Sequence, residues 1–276
     1  MQVILSLFSH SFDDQGITYF VPDDLQSHIQ PGVVVEAPYR DAIEIGVILK
    51  VTQDTDHTNL KPIISILEKT PLLHPHQIMT IFWIASEYFC QIHHALNLFF
   101  PKNTKEKIQK QKLLLEATKT YEYSPQISKH LNTEQTRVKE EILSSKDTDI
   151  LLYGVTGSGK TEVYISLIEH YLKQGKQSLI LIPEIILTNQ ISERIEAVFG
   201  KDICCIHSAI TDATKTKYWR DIFTGEAKVI IGTRSALFYP YNNLGVIIMD
   251  EEHDTSYISD TAPRYHTREV AKKLTE

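Results

Sequence analysis

Cysteine is scarce in this sequence. The 276 residues include three cysteines, Cys90, Cys204 and Cys205, and no two of them have the Cys-x-x-Cys spacing of a zinc site. So few cysteines provide neither a disulfide framework nor a structural metal cluster, and they suit a reducing compartment. We therefore expect three thiols that pack as small apolar side chains in a cytoplasmic protein.

Long apolar runs and an excess of positive charge are also missing. No stretch reaches the roughly 20 apolar residues that a membrane helix needs. The apolar residues 1–8 have neither a basic leader nor a cleavage site, so they predict a strand rather than a signal peptide. Lys and Arg number 28 against 35 Asp and Glu, a formal net charge of −7. Without a global basic field, any contact with nucleic acid has to be local, and we expect no membrane association.

Length and charge distribution predict two domains joined by a basic linker. At roughly 150 residues per domain, this chain makes about two. Residues 1–100 hold 4 basic and 11 acidic side chains, residues 101–130 hold 7 and 3, and residues 131–276 hold 17 and 21. The lysines of residues 101–130 accompany little apolar periodicity, which indicates a solvated segment. We expect a β-rich domain over 1–100, a Lys-rich linker over 101–130 and an α/β domain over 131–276.

The first domain combines short strands with a helical region. Turn residues separate β-branched runs at 3–8, 17–21, 33–37 and 45–49, which predicts a small antiparallel sheet or partial barrel. From Pro75 to Phe100 the apolar residues recur at helical spacing and indicate two helices. We expect an aromatic stripe of this region to lie in the core: Phe82, Trp83, Tyr88 and Phe89.

The second domain alternates apolar runs with amphipathic stretches. Runs at 150–153, 179–182, 229–231 and 246–249 are apolar on both faces, as buried parallel strands are. The amphipathic stretches between them are followed by Gly175, Gly200 and Gly225, which suit helix C-termini. The alternation predicts a doubly wound α/β fold with a parallel sheet.

A phosphate-binding loop pattern, G-x-x-x-x-G-K-[ST], is complete at residues 154–161. Its members are Gly154, Val155, Thr156, Gly157, Ser158, Gly159, Lys160 and Thr161. They lie between a predicted strand and a predicted helix, which is the context that the pattern requires. The backbone N–H groups and the helix dipole attract phosphates, Lys160 reaches the β- and γ-phosphates, and the Thr161 hydroxyl binds Mg²⁺. A simple glycine turn would not need the Lys-Thr pair.

An acidic motif, Asp250-Glu251-Glu252-His253, follows the last predicted strand. Ligands of open α/β sheets bind at the carboxyl ends of the strands, so the motif lies at the same edge as the phosphate loop. Asp250 can hold Mg²⁺ through its water shell. Glu251 is placed to orient and deprotonate the water that attacks the γ-phosphate. The alternative is a solvated acidic loop.

Two further segments support a nucleic-acid-dependent ATPase. Asn132 and Gln135 form a capping box pattern, and the Gln135 amide could also recognise adenine. Thr233 and Arg234 follow the third predicted strand and offer a hydroxyl and a guanidinium to a phosphodiester backbone. A phosphate loop alone would also fit small-molecule kinases, GTPases and transporters, but the Asp-Glu-x-His motif is typical of helicase-type ATPases that use ATP and Mg²⁺.

Together these motifs resemble the PriA family, superfamily 2 helicases that restart bacterial replication forks. The resemblance covers residues 131–276 and rests, in chain order, on Gly154 to Tyr164, Ile182-Pro183-Glu184 with Leu187-Thr188, His207-Ser208, Gly232 to Phe238, Asp250 to Asp254 and Arg264-Tyr265-His266. Residues 1–100 resemble, more weakly, the domain of that family that binds the 3′ end of a nascent strand, through the strand pattern, Pro38 and the helices after Pro71.

The resemblance implies a 3′-to-5′ DNA helicase driven by ATP, with Lys160, Asp250, Glu251 and His253 in its catalytic site. His253 would couple the nucleotide state to the grip on DNA. It also implies binding of forked and single-stranded DNA by Thr233, Arg234, Arg264 and Lys61. Other primosome proteins and single-strand-binding protein are the implied partners.

Residue 276 falls inside an amphipathic stretch that begins at Thr267. The resemblance implies that a second α/β lobe, an arginine finger and a cysteine-rich zinc module would come next. We therefore expect a fragment or a truncated product, with zinc only in the missing C-terminal part.

Several positions depart from the family pattern. Ile17-Thr18 stand in place of Phe-Asp, Arg40 in place of a glycine, and Ala262-Pro263 in place of Gly-Trp, while Lys61 is present. The 30 residues from 101 to 130 are too few for the winged-helix domain of the family. Two alternatives stay open: a superfamily 2 translocase of a restriction or repair system, and a non-catalytic adaptor that binds forks or partner proteins.

Overall fold

The computed structural model of the protein contains two compact units. The first unit comprises Met1–Glu116 and Ile258–His266, and the second comprises Ala117–Tyr257 and Thr267–Glu276. The structure describes residues 1–10, 15–53, 59–110, 113, 121, 123, 131–155, 157–183, 190–200 and 203–275. Among these residues, no helix has the length and apolar character needed to span a bilayer.

An antiparallel five-stranded sheet forms the first unit, as the sequence predicts. Its strands are β1 (Gln2–Leu7), β2 (Ile17–Phe20), β3 (Val34–Tyr39), β4 (Ala42–Thr52) and β5 (Ser65–Glu68), in the order β2-β1-β4-β3-β5. A core of small apolar side chains packs on one face and includes Val3, Leu5, Val35 and Ile48. Strand β5 was not predicted, because it pairs with β3 over a short stretch whose four residues are only half buried.

The turn between β3 and β4 is tight. Tyr39 pairs with Ala42, so Arg40 and Asp41 are the two turn residues. Arg40 has a φ of 52°. Two-residue hairpin turns need this left-handed conformation, which glycine adopts without steric cost and arginine does not.

Three helices accompany this sheet: α1 (Pro75–Glu87), α2 (Ile92–Leu98) and α3 (Thr104–Gln109). The helical region is confirmed, but the prediction that Phe89 lies in the core is wrong, since its side chain is 96% exposed. The physical reason is the end of α1 at Glu87: Phe89 lies beyond the helix with a φ of 48° and no longer follows the helical spacing. Phe82, Trp83 and Tyr88 are half buried.

A parallel sheet forms the second unit. Its strands are β6 (Gln177–Leu181), β7 (Cys204–Ile206), β8 (Val229–Gly232) and β9 (Leu244–Met249), in the order β7-β8-β6-β9. Two helices precede these strands, α4 (Thr133–Ser144) and α5 (Lys160–Lys173). Helices α6 (Gln190–Phe199) and α7 (Asp212–Phe223) lie between strands, α8 (Thr267–Thr275) follows them, and 3-10 turns occupy Arg234–Phe238 and Thr255–Tyr257. The α/β fold and the helices that end before Gly175, Gly200 and Gly225 are confirmed, whereas β7 was not predicted because it has only three residues.

The prediction of a buried strand at 150–153 is wrong. These residues belong to no ladder, and the side chains of Leu151 and Tyr153 are 80% and 88% exposed. A strand exists only through hydrogen bonds to a neighbour, and in the described part of the chain no strand pairs with this run. Its apolar composition was therefore not sufficient to make it a strand.

Gln177 is a buried polar residue that ties together the amino-terminal edge of the parallel sheet. It has no exposed surface. Its amide nitrogen donates to the carbonyls of Ile222, at 3.0 Å, and Ala227, at 2.8 Å, and its amide oxygen accepts from the N–H groups of Asn242, at 2.8 Å, and Asn243, at 3.1 Å. One side chain thus joins the end of α7 to the turns that lead into β8 and β9.

Two tyrosines of the predicted linker lie on the second unit. The Tyr121 hydroxyl donates to the buried carboxylate of Asp221 at 2.6 Å. The Tyr123 hydroxyl accepts from the N–H groups of Lys228, at 2.6 Å, and Val229, at 3.3 Å, at the start of β8. The domain limits drawn at 100 and 130 stay a prediction, but Tyr121 is buried and Tyr123 is half buried.

We predict that Gln177→Met destabilises the protein by about 2–6 kcal/mol. Methionine fills a similar volume but leaves the buried carbonyls of Ile222 and Ala227 without their partner, and each such group costs about 1–3 kcal/mol. Urea unfolding followed by circular dichroism measures the change. Gln174→Met, on the exposed end of α5, is the matched control and should change stability little. Equal stability of the two variants would contradict the prediction.

Candidate functional site

The carboxyl ends of the parallel strands converge in the second unit. The N–H of Asp250, just past β9, donates to Leu181 O of β6 at 2.9 Å, and the N–H of Ile182, just past β6, donates to Gly232 O of β8 at 2.9 Å. The ladder therefore continues one residue beyond the strands and fixes where each following loop starts. A Cβ on Gly232 would meet Ala236 Cβ at 2.6 Å and Ile206 O at 2.7 Å, so the loop after β8 turns too closely for any side chain there.

The phosphate loop precedes α5 directly. Gly157 and Gly159 have φ angles of 81° and 84°, which explains why the loop uses glycine at both positions. The Lys160 ammonium donates to Gly154 O at 2.8 Å and thus lies over the loop. Thr161 is half buried in the first turn of α5, and Thr156 lies outside the described residues.

Gln135 links α4 to the phosphate loop. The capping box is confirmed: Gln135 N donates to Asn132 Oδ1 at 2.8 Å, and Asn132 N donates to Gln135 Oε1 at 3.0 Å. The Gln135 amide nitrogen also lies 3.4 Å from the carbonyl oxygens of Ser158 and Gly159. A Cβ on Gly159 would meet that nitrogen at 2.3 Å. Gln135 therefore packs against the loop and does more than cap a helix.

Asp250 lies where the strand edge and the phosphate loop meet. Its side chain is 6% exposed, and one carboxylate oxygen accepts from the Tyr164 hydroxyl at 3.1 Å. Burial raises the pKa of the Asp250 carboxyl above its ordinary value, while the hydrogen bond from Tyr164 and the charge of Lys160 act in the opposite direction. Because Tyr164 lies one turn beyond Lys160 on α5, its bond to Asp250 brings the two sequence motifs to one site.

Glu251 adopts a strained backbone conformation beside Asp250. Its φ is 47°, a left-handed value that non-glycine residues rarely adopt and that occurs preferentially at functional sites. The Asp254 N–H donates to Glu251 O at 2.8 Å and closes the turn. The Glu251 carboxylate is 40% exposed, and His253 Nε2 lies 3.7 Å from it with an 81% exposed ring. Glu251 is thus accessible, whereas Asp250 is not.

The rest of the acidic motif is fixed by neighbours. Glu252 pairs with Arg268 of α8, and the Asp254 carboxylate accepts from Ser256 N at 2.8 Å. The Tyr257 hydroxyl donates to the backbone carbonyl of Asp250 at 2.8 Å. A freely solvated acidic loop does not describe these residues.

Thr233 and Arg234 begin the loop after β8. Thr233 is 6% exposed, and its hydroxyl lies 3.4 Å from that of Ser235. Arg234 Nη1 donates to Ser256 O at 3.0 Å. Arg234 therefore joins the loop after β8 to the loop after β9 and orders both.

Sequence reasoning missed three contacts of this site. Tyr164 holds the Asp250 side chain, Tyr257 holds its backbone, and Glu162 forms a two-point ion pair with Arg194 of α6. Tyr164 and Glu162 lie within one turn of Lys160 on α5, which is a usable signal. Nothing in the sequence identifies their partners, because these come from distant segments.

Lys61 lies in the first unit, at the hairpin between β3 and β4. Its ammonium donates to Arg40 O at 3.3 Å, and the Arg40 guanidinium lies 5.5 Å from the centre of the Tyr39 ring. The Tyr19 hydroxyl donates to Pro38 O at 3.1 Å. Two of the four basic residues in 1–100 thus meet at one turn of an acidic domain.

Arg264 belongs to the segment Ile258–His266, which is also part of the first unit. Within that unit, His266 N donates to the Tyr88 hydroxyl at 3.4 Å, and Ile258 forms a bridge with His266. The Arg264 side chain is exposed. The four predicted DNA contacts are therefore distributed over both units, with Thr233 and Arg234 in the second.

Comparisons with known proteins agree with this division. A family model described as DEAD/DEAH box helicase matches residues 132–275, and one described as 3′DNA-binding domain matches residues 2–101. The replication restart protein PriA of Chlamydia pneumoniae is 30% identical over an alignment of 332 residues that covers 92% of this chain and 44% of that protein. PriA of Helicobacter pylori is 34% identical over 259 residues (94% and 38%), and PriA of Bacillus subtilis is 45% identical over 150 residues (53% and 19%). The chain spans less than half the length of these relatives.

We predict that Tyr164→Phe raises the pKa of Asp250 further, because the Tyr164 hydroxyl stabilises the ionised carboxylate and the variant lacks that hydrogen bond. The folded protein already binds this proton more tightly than the unfolded chain, so this group's contribution to stability falls as the pH rises from the ordinary aspartate pKa to the raised one. The variant should extend that fall to higher pH. Carboxyl carbon NMR and urea unfolding across pH measure both effects.

Tyr171→Phe is the control, since this half-buried tyrosine on the same helix has its ring near Lys176 and His170 instead. It should leave the titration of Asp250 unchanged. An unaltered Asp250 pKa in Tyr164→Phe would show that the phenol does not bond the carboxylate in solution.

Proposed function

We propose a function on the basis that this chain belongs to the DEAD/DEAH box helicase family and is a homologue of the replication restart protein PriA. The proposal is that it is the N-terminal part of an ATP-dependent 3′-to-5′ DNA helicase that recognises forked DNA in replication restart. The observation that carries the proposal is the hydrogen bond at 3.1 Å from Tyr164, one turn beyond Lys160 on α5, to Asp250 at the carboxyl edge of the parallel sheet. A matched 3′DNA-binding domain on the same chain adds the DNA substrate.

ATP is the proposed nucleotide. The backbone N–H groups of the phosphate loop and the amino terminus of α5 would bind its phosphates, and Lys160 would turn from Gly154 O to the β- and γ-phosphates. Gln135 lies against the same loop, and its amide would recognise the adenine base. The loop would then hold the phosphates and Gln135 the base.

Mg²⁺ fits the oxygen donors of this site. A hydroxyl and a carboxylate suit a hard cation that keeps several waters, and among the described residues no cluster of His, Cys, Asp and Glu offers a complete protein cage for a metal. Thr161 and Asp250 would hold the ion, which would neutralise charge on the phosphates. Tyr164 occupies one oxygen of Asp250 and so orients the carboxylate.

Glu251 is the proposed general base. Its carboxylate is accessible, it follows Asp250 directly in the chain, and its backbone has a left-handed φ. It would orient and deprotonate the attacking water. His253, which neighbours the same carboxylate, would link the nucleotide site to DNA binding.

DNA is the proposed substrate of both units. In the first unit, Lys61 and Arg40 place two cations at one hairpin turn, a combination that suits a phosphate. Arg264 is exposed in the same unit, while Arg234 and Thr233 order the loop after β8 in the second. Primosome proteins and single-strand-binding protein are the proposed protein partners in the cytoplasm.

We predict that the chain binds ATP and that Lys160→Met weakens binding at least about tenfold, because the ammonium is the main positive charge offered to the phosphates. Isothermal titration calorimetry with ATP and Mg²⁺ measures the affinity. Lys173→Met, an exposed lysine in the last turn of α5, is the matched control and should bind like the wild type. If the wild-type chain does not bind ATP, the chain is an adaptor without a motor function.

We predict that Lys61→Ala and Arg40→Ala each weaken binding of the chain to a fork with a free 3′ end. A lost phosphate contact reduces the salt dependence of binding by about one counterion. Fluorescence anisotropy over a salt series measures both quantities. Lys50→Ala is the control, since Lys50 is exposed near the far end of β4. Wild-type affinity in Lys61→Ala and Arg40→Ala, as in Lys50→Ala, would exclude the hairpin from DNA binding.

A further inference from the structure

A two-point ion pair joins α5 and α6 beside the phosphate loop. Arg194 Nε donates to one carboxylate oxygen of Glu162 at 2.9 Å, and Arg194 Nη2 donates to the other at 3.0 Å. The side chains are 28% and 18% exposed. Such parallel bonds fix the geometry of a carboxylate much more firmly than a single contact.

Glu162 lies in a position where a free carboxylate opposes anion binding. It is two residues after Lys160, in the first turn of α5. The amino terminus of a helix attracts anions through its N–H groups and its dipole. A carboxylate there satisfies part of that attraction and repels phosphates that approach the same turn. An arginine that neutralises it removes the repulsion.

The attachment of α6 does not need this ion pair. Ile195, Val198 and Phe199 of α6 are buried in the core, together with Ile165 and Ile168 of α5. These apolar contacts already hold the two helices together, and a partly exposed ion pair contributes little to folding. The effect of Arg194 is therefore expected in the nucleotide site more than in stability.

We propose that Arg194 is a positioning residue for the nucleotide: it neutralises Glu162 and holds its carboxylate against α6, away from the phosphates. This inference rests on the proposed binding of ATP at the phosphate loop. Arg194 does not touch the nucleotide itself. It acts through Glu162, so removal of Glu162 should make Arg194 dispensable.

The test compares Arg194→Met, Glu162→Gln and the double variant in the 276-residue chain. Arg194→Met should weaken ATP binding about three- to tenfold at low salt, and the loss should shrink at high salt because screening weakens the repulsion. Glu162→Gln should bind at least as tightly as the wild type. The double variant should recover wild-type affinity. Calorimetry with ATP and Mg²⁺ provides the affinities, and thermal unfolding confirms that each variant is folded.

Arg137→Met is the matched control. Arg137 also forms a two-point ion pair, with Glu134, but both lie on the exposed surface of α4. Its replacement should leave ATP affinity unchanged.

Two results would overturn the inference alone. Wild-type affinity in Arg194→Met would show that Glu162 needs no neutralisation. Equal weakening in Arg194→Met and in the double variant would mean that the arginine acts by packing instead of charge. A wild-type chain that binds no ATP would instead reject the proposed function, and the inference with it.

Discussion

The parallel register between β6 and β9 is the constraint on which the candidate site depends. It carries the ladder one residue past β9, where Asp250 N bonds to Leu181 O at 2.9 Å. Side chains alternate between the faces of a sheet, so a shift of one residue would turn the Asp250 carboxylate away from Tyr164 and the phosphate loop. Tyr257 then holds the carbonyl of the same residue. The start of the acidic motif is therefore positioned by a backbone hydrogen bond, and the side chains of Tyr164 and Tyr257 hold it from two further sides.

The two edges of the parallel sheet use polar groups differently. At the amino-terminal edge, Gln177 satisfies four backbone groups and Tyr123 two more. Buried polar groups that are fully bonded rigidify a structure. At the carboxyl edge, Glu251 is accessible and held in a left-handed conformation that costs about 1–3 kcal/mol. The rigid edge provides the stability that a strained, accessible edge requires.

The phosphate loop and the acidic motif were predictable because each is a local pattern whose meaning depends on its immediate neighbours. The α/β alternation and the antiparallel sheet were predictable from periodicity for the same reason. The prediction of a strand at 150–153 was wrong, since a strand needs a partner that periodicity does not show. The prediction of a core position for Phe89 was wrong because α1 ends at Glu87, two residues before it. The bonds of Tyr164 and Arg194 also escaped prediction, because their partners are 86 and 32 residues away in sequence.

The DNA binding proposed for the acidic first unit would require a few cations in fixed positions. Arg40 occupies a left-handed turn position where glycine would avoid a cost of about 1 kcal/mol. In return, the hairpin presents a guanidinium against the Tyr39 ring, and the Arg40 carbonyl accepts from Lys61. The turn itself is short, since its two residues join Tyr39 and Ala42, the last pair of the β3–β4 ladder. Two cations on such a turn release few counterions on binding, so affinity would depend on the shape of the strand end more than on the length of the DNA. That is the behaviour a sensor of strand ends needs, because long duplex is always in excess.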